Sequence, residues 1–386
     1  MADPLLDWRS EFPALEKTVY LISHSLGAMP RRTPDRLAEY ADIWSTRSIR
    51  AWEEGWWEMP ITVGNLIAGI IGAGEGEVVM QPNVSICQSI IASCFDWSGS
   101  RNKIVSEGLD FPSNLYIHRQ LESLGARVVT VPSEDGITIP LPKLLAAIDN
   151  ETRLVAVSHV IFKSAYIQDL RALTERAHEV GALIVADIYQ SAGTVPLNVR
   201  ELGVDFAAGG SVKWLCGGPG AGYLYVRRDL WPALSPRLTG WMAHQNPFEF
   251  DPGPIRFAGD AFRFLNGTPN IPGLYAARSG YEIIQEVGVE NIRAKSIRQT
   301  SALIDLAEQA GYRVNSPKDS RERGGTVTLD VPNGYDITQE LLRRDFLVDY
   351  RPGAGIRIAP HFYTKDEELE LVMEEIQSLS RAAVTH

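Results

Sequence analysis

The chain has 386 residues, 45% hydrophobic and 22% charged, an ordinary globular composition that is too long for one core and therefore points to two domains. A formal net charge of −11 argues against nucleic-acid or anionic-membrane binding, since both demand a cationic face. Three widely spaced cysteines and seven histidines without ligand spacing argue against a disulfide framework and against any metal site.

The first 60 residues read as an arm and a helix, dense in tryptophan: Trp8, Trp44, Trp52, Trp56 and Trp57. The start, "MADPLLDWRSEFPALEK", carries acids early and no basic stretch leading into an apolar one, so no signal peptide is expected. No apolar run approaches the roughly 20 residues of a membrane span. A cytoplasmic protein is the expectation. In "TPDRLAEYADIWSTRSI", Thr33 is a candidate N-cap and Pro34 suits the first helical position.

From about residue 75 to 235 strands and helices alternate. "RLVAVSHVIF" is short, apolar and β-branched, as a buried strand is. Asp169 then offers a cap, Leu170, Leu173, Ala177 and Val180 share one helical face, and Gly181 supplies a stop. "ALIVAD" is the next strand, so a right-handed crossover and parallel pairing are predicted. Pro- and Gly-rich segments between 245 and 275 mark a crossover, and one long helix is expected from about 273 to 311. The tail mixes strands and helices. The predicted organisation is an arm at 1–60, a large α/β domain with a mostly parallel sheet at 61–275, and a smaller α+β domain at 276–386.

Asp187 closes the strand "ALIVAD", and in open α/β sheets ligands bind just beyond such carboxyl ends. A carboxylate there needs a cationic or hydrogen-bonding partner, and a protonated pyridine nitrogen is one. Lys213 follows in "SVKWLCGGPG", where a lysine with a lowered pKa is suited to Schiff-base formation with an aldehyde cofactor. Ser211 is placed to give its hydroxyl to a phosphate, beside glycines that allow close backbone approach. Taken singly, the acid reads first as a turn cap and the lysine as a surface loop residue. Their order on predicted strand ends favours pyridoxal phosphate (PLP).

Several segments resemble, in order and over nearly the whole chain, the fold-type I PLP enzymes of the class V aminotransferase superfamily, and most of all bacterial kynureninases. They are "YLISHSLGAMP", "SIRAWEEGWWEMP", "GAGEGEVVM", "DFPSNLY", "SHV", "KWLCGGPG", "GWMAH", "FLNGTPNI" and "DYRPGAGIRIAP". The resemblance implies that Lys213 carries the cofactor, Asp187 faces its ring nitrogen and Phe111 stacks on the ring. It implies that Asn83, Val84 and Ser85 form the phosphate loop, completed from a neighbouring subunit by Trp241 and the turn ending at Thr268. Arg357 matches the arginine that grips a substrate α-carboxylate, and His24 and Trp52 fall among the substrate-facing segments. Read without the resemblance, Phe111 and Trp241 suit a core equally, Ser85 a helix cap and Arg357 a surface ion pair.

Departures from the kynureninase pattern concentrate at the site. Gln190 stands in place of a histidine, as in cysteine desulfurases, where the glutamine bonds the cofactor's phenolic oxygen. Val212 replaces a tyrosine, His24 and Asn114 replace an asparagine and an aspartate, and Ile161-Phe162-Lys163 replaces Asn-Tyr-Arg. The expected activity is PLP-dependent chemistry on an α-amino acid: kynureninase-like hydrolysis of a Cβ–Cγ bond or, alternatively, C–S β-lysis of a cysteine S-conjugate, transamination or epimerisation. A PLP-binding module without turnover is disfavoured by the retained Lys213, Asp187 and Arg357. Shared phosphate residues imply a homodimer.

Overall fold

The computed structural model describes residues 3–384. In chain order β1 (Val19–Tyr20) precedes β2 (Val78–Gln81), β3 (Lys103–Glu107), β4 (Arg127–Val131), β5 (Thr152–Ser158), β6 (Leu183–Asp187), β7 (Phe206–Gly210) and β8 (Gly222–Val226). The last seven form one sheet in the order β2-β8-β7-β6-β5-β3-β4. Strand β8 runs antiparallel to both neighbours, and the other pairings are parallel. β2, β3, β7 and β8 are buried along their whole length, as strands covered on both faces should be, although β3 carries Lys103, Ser106 and Glu107 beside its apolar pair. The predicted crossover is present: the Asp169 side chain accepts the Ala172 N–H (3.0 Å), the helix Leu170–Glu179 follows, and Ser158 of β5 lies opposite Asp187 of β6.

This topology positions the site. Six strands point the same way, so Gln81, Glu107, Ser158, Asp187 and Gly210 end at one edge of the sheet. Four helices matter around it: α1 (Thr33–Arg47), α2 (Met59–Ile71), α3 (Val84–Ser93), which starts just past β2, and α4 (Pro112–Gln120), which starts just past β3. Thr33 is the first residue of α1 rather than its cap.

The single helix expected over 273–311 is two, Ile271–Val287 and Val289–Gln309. Gly288 breaks it, with φ 82° and ψ 126°, a conformation that lacks a helical turn and that glycine adopts without a Cβ clash. The first helix packs on α1 and α2 and the second on the C-terminal helix Glu367–Val384. Residue 275, the expected domain boundary, lies inside the first helix.

The second sheet contains β9 (Arg313–Val314), β10 (Val327–Asp330), β12 (Asp349–Arg351) and β13 (Gly355–Ile358), in the antiparallel order β12-β13-β10-β9. Between them in sequence, β11 (Phe346–Leu347) pairs in parallel with β1, which ties the N-terminal arm to this smaller layer. Among the described residues no helix is long and apolar enough to cross a membrane.

The glycine pair ending β7 has a packing reason. A Cβ on Gly210 would lie 2.4 Å from the Tyr189 hydroxyl oxygen, so the tyrosine ring rests directly on bare backbone. Gly210→Ala should therefore displace Tyr189 and cost about 1–3 kcal/mol of stability through overpacking, measurable by urea unfolding.

Candidate active site

Lys213 lies in the turn after β7, its amine enclosed by two rings: Nζ is 4.1 Å from the Tyr189 centroid and 5.6 Å from that of Phe111. Nζ has no hydrogen bond or ion pair among the described residues. Burial lowers its pKa from 10.5 to about 8; Asp187 opposes the shift, and the charges of Arg357 and Arg351 reinforce it. Asp187, buried at the end of β6, accepts the Tyr189 N–H at Oδ1 (2.9 Å) and the Asn114 amide at Oδ2 (2.8 Å). Burial raises its pKa, against these two hydrogen bonds and the Lys213 charge. Phe111 stands at the N-terminus of α4, edge-on to Phe162 (5.3 Å), with 42% of its surface exposed. An unpaired amine, a carboxylate on the adjoining strand and a bare aromatic face thus converge on one cleft.

Asn83 caps α3 by accepting the Ile86 N–H (3.0 Å), and Val84 and Ser85 are the first helical residues. The free N–H groups and dipole of this helix end favour an anion. Ser211 departs from expectation. Its hydroxyl is buried, hydrogen-bonded to the Ala221 carbonyl and the Tyr281 hydroxyl, so it anchors the lysine turn to the helix Ile271–Val287 rather than facing a phosphate.

Trp52, Trp241 and Thr268 come together elsewhere. With Trp57 and Phe248 they line a surface cavity of about 710 Å³, in whose lining neither Lys213 nor Asp187 takes part. Trp56 does not join them: it stacks on Tyr40 (5.5 Å) and donates its indole N–H to the Tyr275 hydroxyl (3.3 Å), a core role.

Gln190 is held at both ends, its Nε2 donating to the His24 carbonyl (3.0 Å) and its Oε1 accepting the Trp214 indole N–H (2.9 Å). One Nε2 hydrogen remains. The His24 imidazole is buried, and its pKa falls to about 3 through burial and the nearby Arg357 charge. Neutral at physiological pH, it places Nε2 3.0 Å from Asp349 Oδ1. Arg357 is 2% exposed and already paired. Nε and Nη2 fork onto Asp349 (2.7 and 2.5 Å), Nη2 also donates to the Ser25 hydroxyl (3.0 Å), and Nη1 to the Phe162 carbonyl (2.6 Å). This arginine is neither a surface ion pair nor an empty fork. A single Nη1 hydrogen is left for a ligand.

Against known proteins, the model of the family described as "Aminotransferase class-V" matches residues 29–348. The chain belongs to the class V aminotransferase family. Kynureninase from Pseudomonas fluorescens is 34% identical over 366 residues, 90% of this chain and 86% of the relative. Kynureninase from Geobacillus thermodenitrificans is 31% identical over 98% of this chain and 92% of the relative. Among solved structures, the apo cysteine desulfurase of Thermococcus onnurineus superposes with a TM-score of 0.87 at 23% identity, covering 99% of both chains. A variant of C-DES with glycine covalently linked to its PLP cofactor gives 0.86 at 20%, covering 96% of this chain and 98% of that one. Members of this class V family use PLP, and the two structural likenesses establish the fold.

Sequence reasoning missed Tyr189, Asp110, Ser158 and Asp349 as site residues. Tyr189 and Ser158 were detectable as neighbours of strand ends. Asp349 was not, because it meets Arg357 only through the β12–β13 register.

Two outcomes follow from this geometry. Arg357→Ala should cost about 3–5 kcal/mol in chemical denaturation, because it strips Asp349 of its principal counter-charge in a buried site, in addition to any loss of activity. Separately, Lys213 should react with trinitrobenzenesulfonate, followed by peptide mapping, at a rate that rises with pH through a midpoint near 8, since the unprotonated amine is the nucleophile. A midpoint at the ordinary 10.5 would contradict the burial argument.

Proposed function

We propose that the protein is a PLP-dependent enzyme that acts at the α-carbon of an amino acid and hydrolyses a Cβ–Cγ bond in the manner of a kynureninase. The observation that carries this reading is the unpaired Lys213 amine, its pKa lowered by burial, beside a hydrogen-bonded Asp187 at parallel strand ends. The residues present fit the coenzyme: Lys213 for its aldehyde, Asp187 for its ring nitrogen, Phe111 for the ring face, and Asn83, Val84 and Ser85 at the α3 N-terminus for its phosphate. Gln190 has one amide hydrogen to offer the phenolic oxygen. When bound, the coenzyme supplies an electron sink for charge developing at the α-carbon.

The chain's own groups do the rest. The Lys213 amine, unprotonated in an appreciable fraction at neutral pH, takes and later returns the α-proton. Tyr189 and Phe111 shield it from water. The remaining Nη1 hydrogen of Arg357 orients the substrate carboxylate, and Asp349 fixes the guanidinium plane. The kynureninase relatives, at 31–34% identity over most of the chain, support cleavage beside a γ-carbonyl, giving alanine and an aryl acid.

A second reading, β-elimination from a cysteine S-conjugate, draws on Val212. A valine before the catalytic lysine has no proton to offer a ketone, and β-elimination needs none there. Persulfide chemistry is disfavoured, because Cys87 and Cys216 are buried, the half-buried Cys94 stands at the C-terminus of α3 in the large domain, and burial pushes the Cys94 and Cys216 thiols up to about 12.

The protein is also proposed to work as a two-fold dimer, with the cavity of Trp52, Trp241 and Thr268 turned to the partner's site. Its rim exposes Ile49 and Phe248, apolar surface a monomer has reason to cover.

Purified wild type should take up PLP and turn yellow, and Lys213→Ala should lose the coenzyme on gel filtration after borohydride treatment. A wild type that stays colourless with added PLP overturns the reading. Incubation with kynurenine, 3-hydroxykynurenine and cysteine S-conjugates separates the two reactions: anthranilate or its hydroxy derivative together with alanine supports the first, pyruvate with a thiol the second. Light scattering that finds an active monomer refutes the shared-site dimer.

A further inference from the structure

Beneath the ring-facing acid lies a buried polar chain that the proposed reaction does not use. Asn114, one helical turn beyond Asp110, donates from its single Nδ2 to both Asp110 Oδ1 (3.0 Å) and Asp187 Oδ2 (2.8 Å). Asp110 Oδ1 also accepts the Phe111 N–H (2.7 Å) and the Ser158 hydroxyl (2.8 Å). The side chains of Asn114, Asp110, Asp187 and Ser158 are all buried, and Phe111 contributes only its backbone N–H. Asn114 Oδ1 is buried with no donor facing it.

A carboxamide has a donor end and an acceptor end, and its network decides which way it points. An oxygen that already accepts a backbone N–H and a hydroxyl has no room for a proton of its own. Asp110 Oδ1 is therefore an obligate acceptor and takes the –NH₂ end of Asn114. That choice hands Asp187 a donor as well. If the amide turned over, its carbonyl would face Asp187 Oδ2, and the repulsion would be relieved by a proton on Asp187, a form that burial already favours.

We propose that Asp110 is a positioning residue: by fixing the orientation of the Asn114 carboxamide, it keeps Asp187 ionised. This deepens the reading of the site, since an ionised acid is what a protonated ring nitrogen requires. The titratable groups that face Asp187 are Lys213, which also favours ionisation, Cys87, Tyr189 and Tyr223, Glu107 on β3, and Asp110 itself, whose pKa is raised to about 7 by burial and by the Asp187 charge. Glu107 accepts the Ser158 N–H (2.8 Å) and the Gln168 amide, and burial together with Asp110 pushes its pKa well above the ordinary value.

The sign of the effect makes the idea testable. Deleting a neighbouring negative charge would by itself lower the Asp187 titration midpoint. The orientation role demands the opposite in Asp110→Ala, where the amide is free to turn. Asp110→Asn keeps an oxygen facing the same donors and so should rescue.

The experiment is a pH titration of full-length protein labelled with ¹³Cγ-aspartate, followed by NMR before and after PLP is added, with Asp187→Asn to assign the signal. In Asp110→Ala the Asp187 midpoint should rise by about one pH unit, and in Asp110→Asn it should sit at or below the wild-type position. Ser158→Ala, which opens room on Asp110 Oδ1, is the milder variant and should raise the midpoint by less. A midpoint that falls or stays put in Asp110→Ala, or in Ser158→Ala should the former not fold, overturns the proposal. The coenzyme-free arm stands independently: failure of wild type to take up PLP would sink the enzyme reading, while the Asp187 shift would still judge Asp110.

Discussion

An amine without a partner in a dry cleft is an expensive arrangement, and much of this structure can be understood as the means of keeping one at position 213. Burial disfavours the charged form of lysine, and here nothing hydrogen-bonds it. What holds it is geometry. The phenol end of Tyr189 abuts the glycine end of β7, Phe111 closes the other side, and the Ser211 hydroxyl pins the turn to Tyr281 from behind. The N-terminal arm adds a strut, with the Gly27 N–H donating to the Val212 carbonyl at 2.7 Å. Asp187 lies on the adjacent strand, close enough to oppose the pKa shift but not to form an ion pair. The amine therefore stays uncommitted, as a nucleophile must.

The same economy governs the acids. Asp187 is buried yet hydrogen-bonded at both oxygens, and Asp349 is held far below the usual carboxylate range by His24 and Arg357 although burial pushes the other way. Donors aimed at fixed points replace water in both cases, which is what a preorganised site offers a reaction. A lysine with a moderated pKa and an acid kept charged are complementary only if their surroundings differ. The sheet supplies the difference through the two flanking strand ends, β5 with Ser158 and β7 with its glycines.

The sequence was legible where chemistry coincides with local pattern. Buried strands read as apolar runs, and an acid or lysine just past such a run stands out, so Asp187 and Lys213 were visible as candidates; the cap of α3 was weighed at Ser85, whereas Asn83 fills it. Phe111 needed the family resemblance. The long helix expected over 273–311 was misread because its apolar periodicity continues through Gly288, and a glycine inside a helical pattern is ordinarily tolerated. Ser211 was misread because a strand-end hydroxyl faces either the cleft or the core, and that choice depends on where Tyr281 falls some 70 residues later. Arg357 was identified by motif, but its fork partner depends on cross-strand register in the small sheet, which no local signal carries.

That clamp on Arg357 changes how substrate recognition is to be understood. A bidentate arginine is prized for carboxylates because two parallel N–H groups meet two oxygens. Here the forked edge is spent on Asp349, whose charge largely cancels that of the guanidinium, and Arg351 sits 2.9 Å from the same carboxylate. On the role proposed for Arg357, an incoming carboxylate would meet one free N–H and a local field made by two arginines, Lys213 and one shared acid, rather than an empty fork. Such a site gives little binding energy from charge alone. It must obtain discrimination from orientation, in the position of that single hydrogen relative to Lys213 Nζ, and from the aromatic walls of Phe111 and Phe162, over which the guanidinium lies 6.0 Å from the ring centre. On that proposal, specificity resides in the shape and stacking of the substrate's side chain, the part in which the candidate reactions differ.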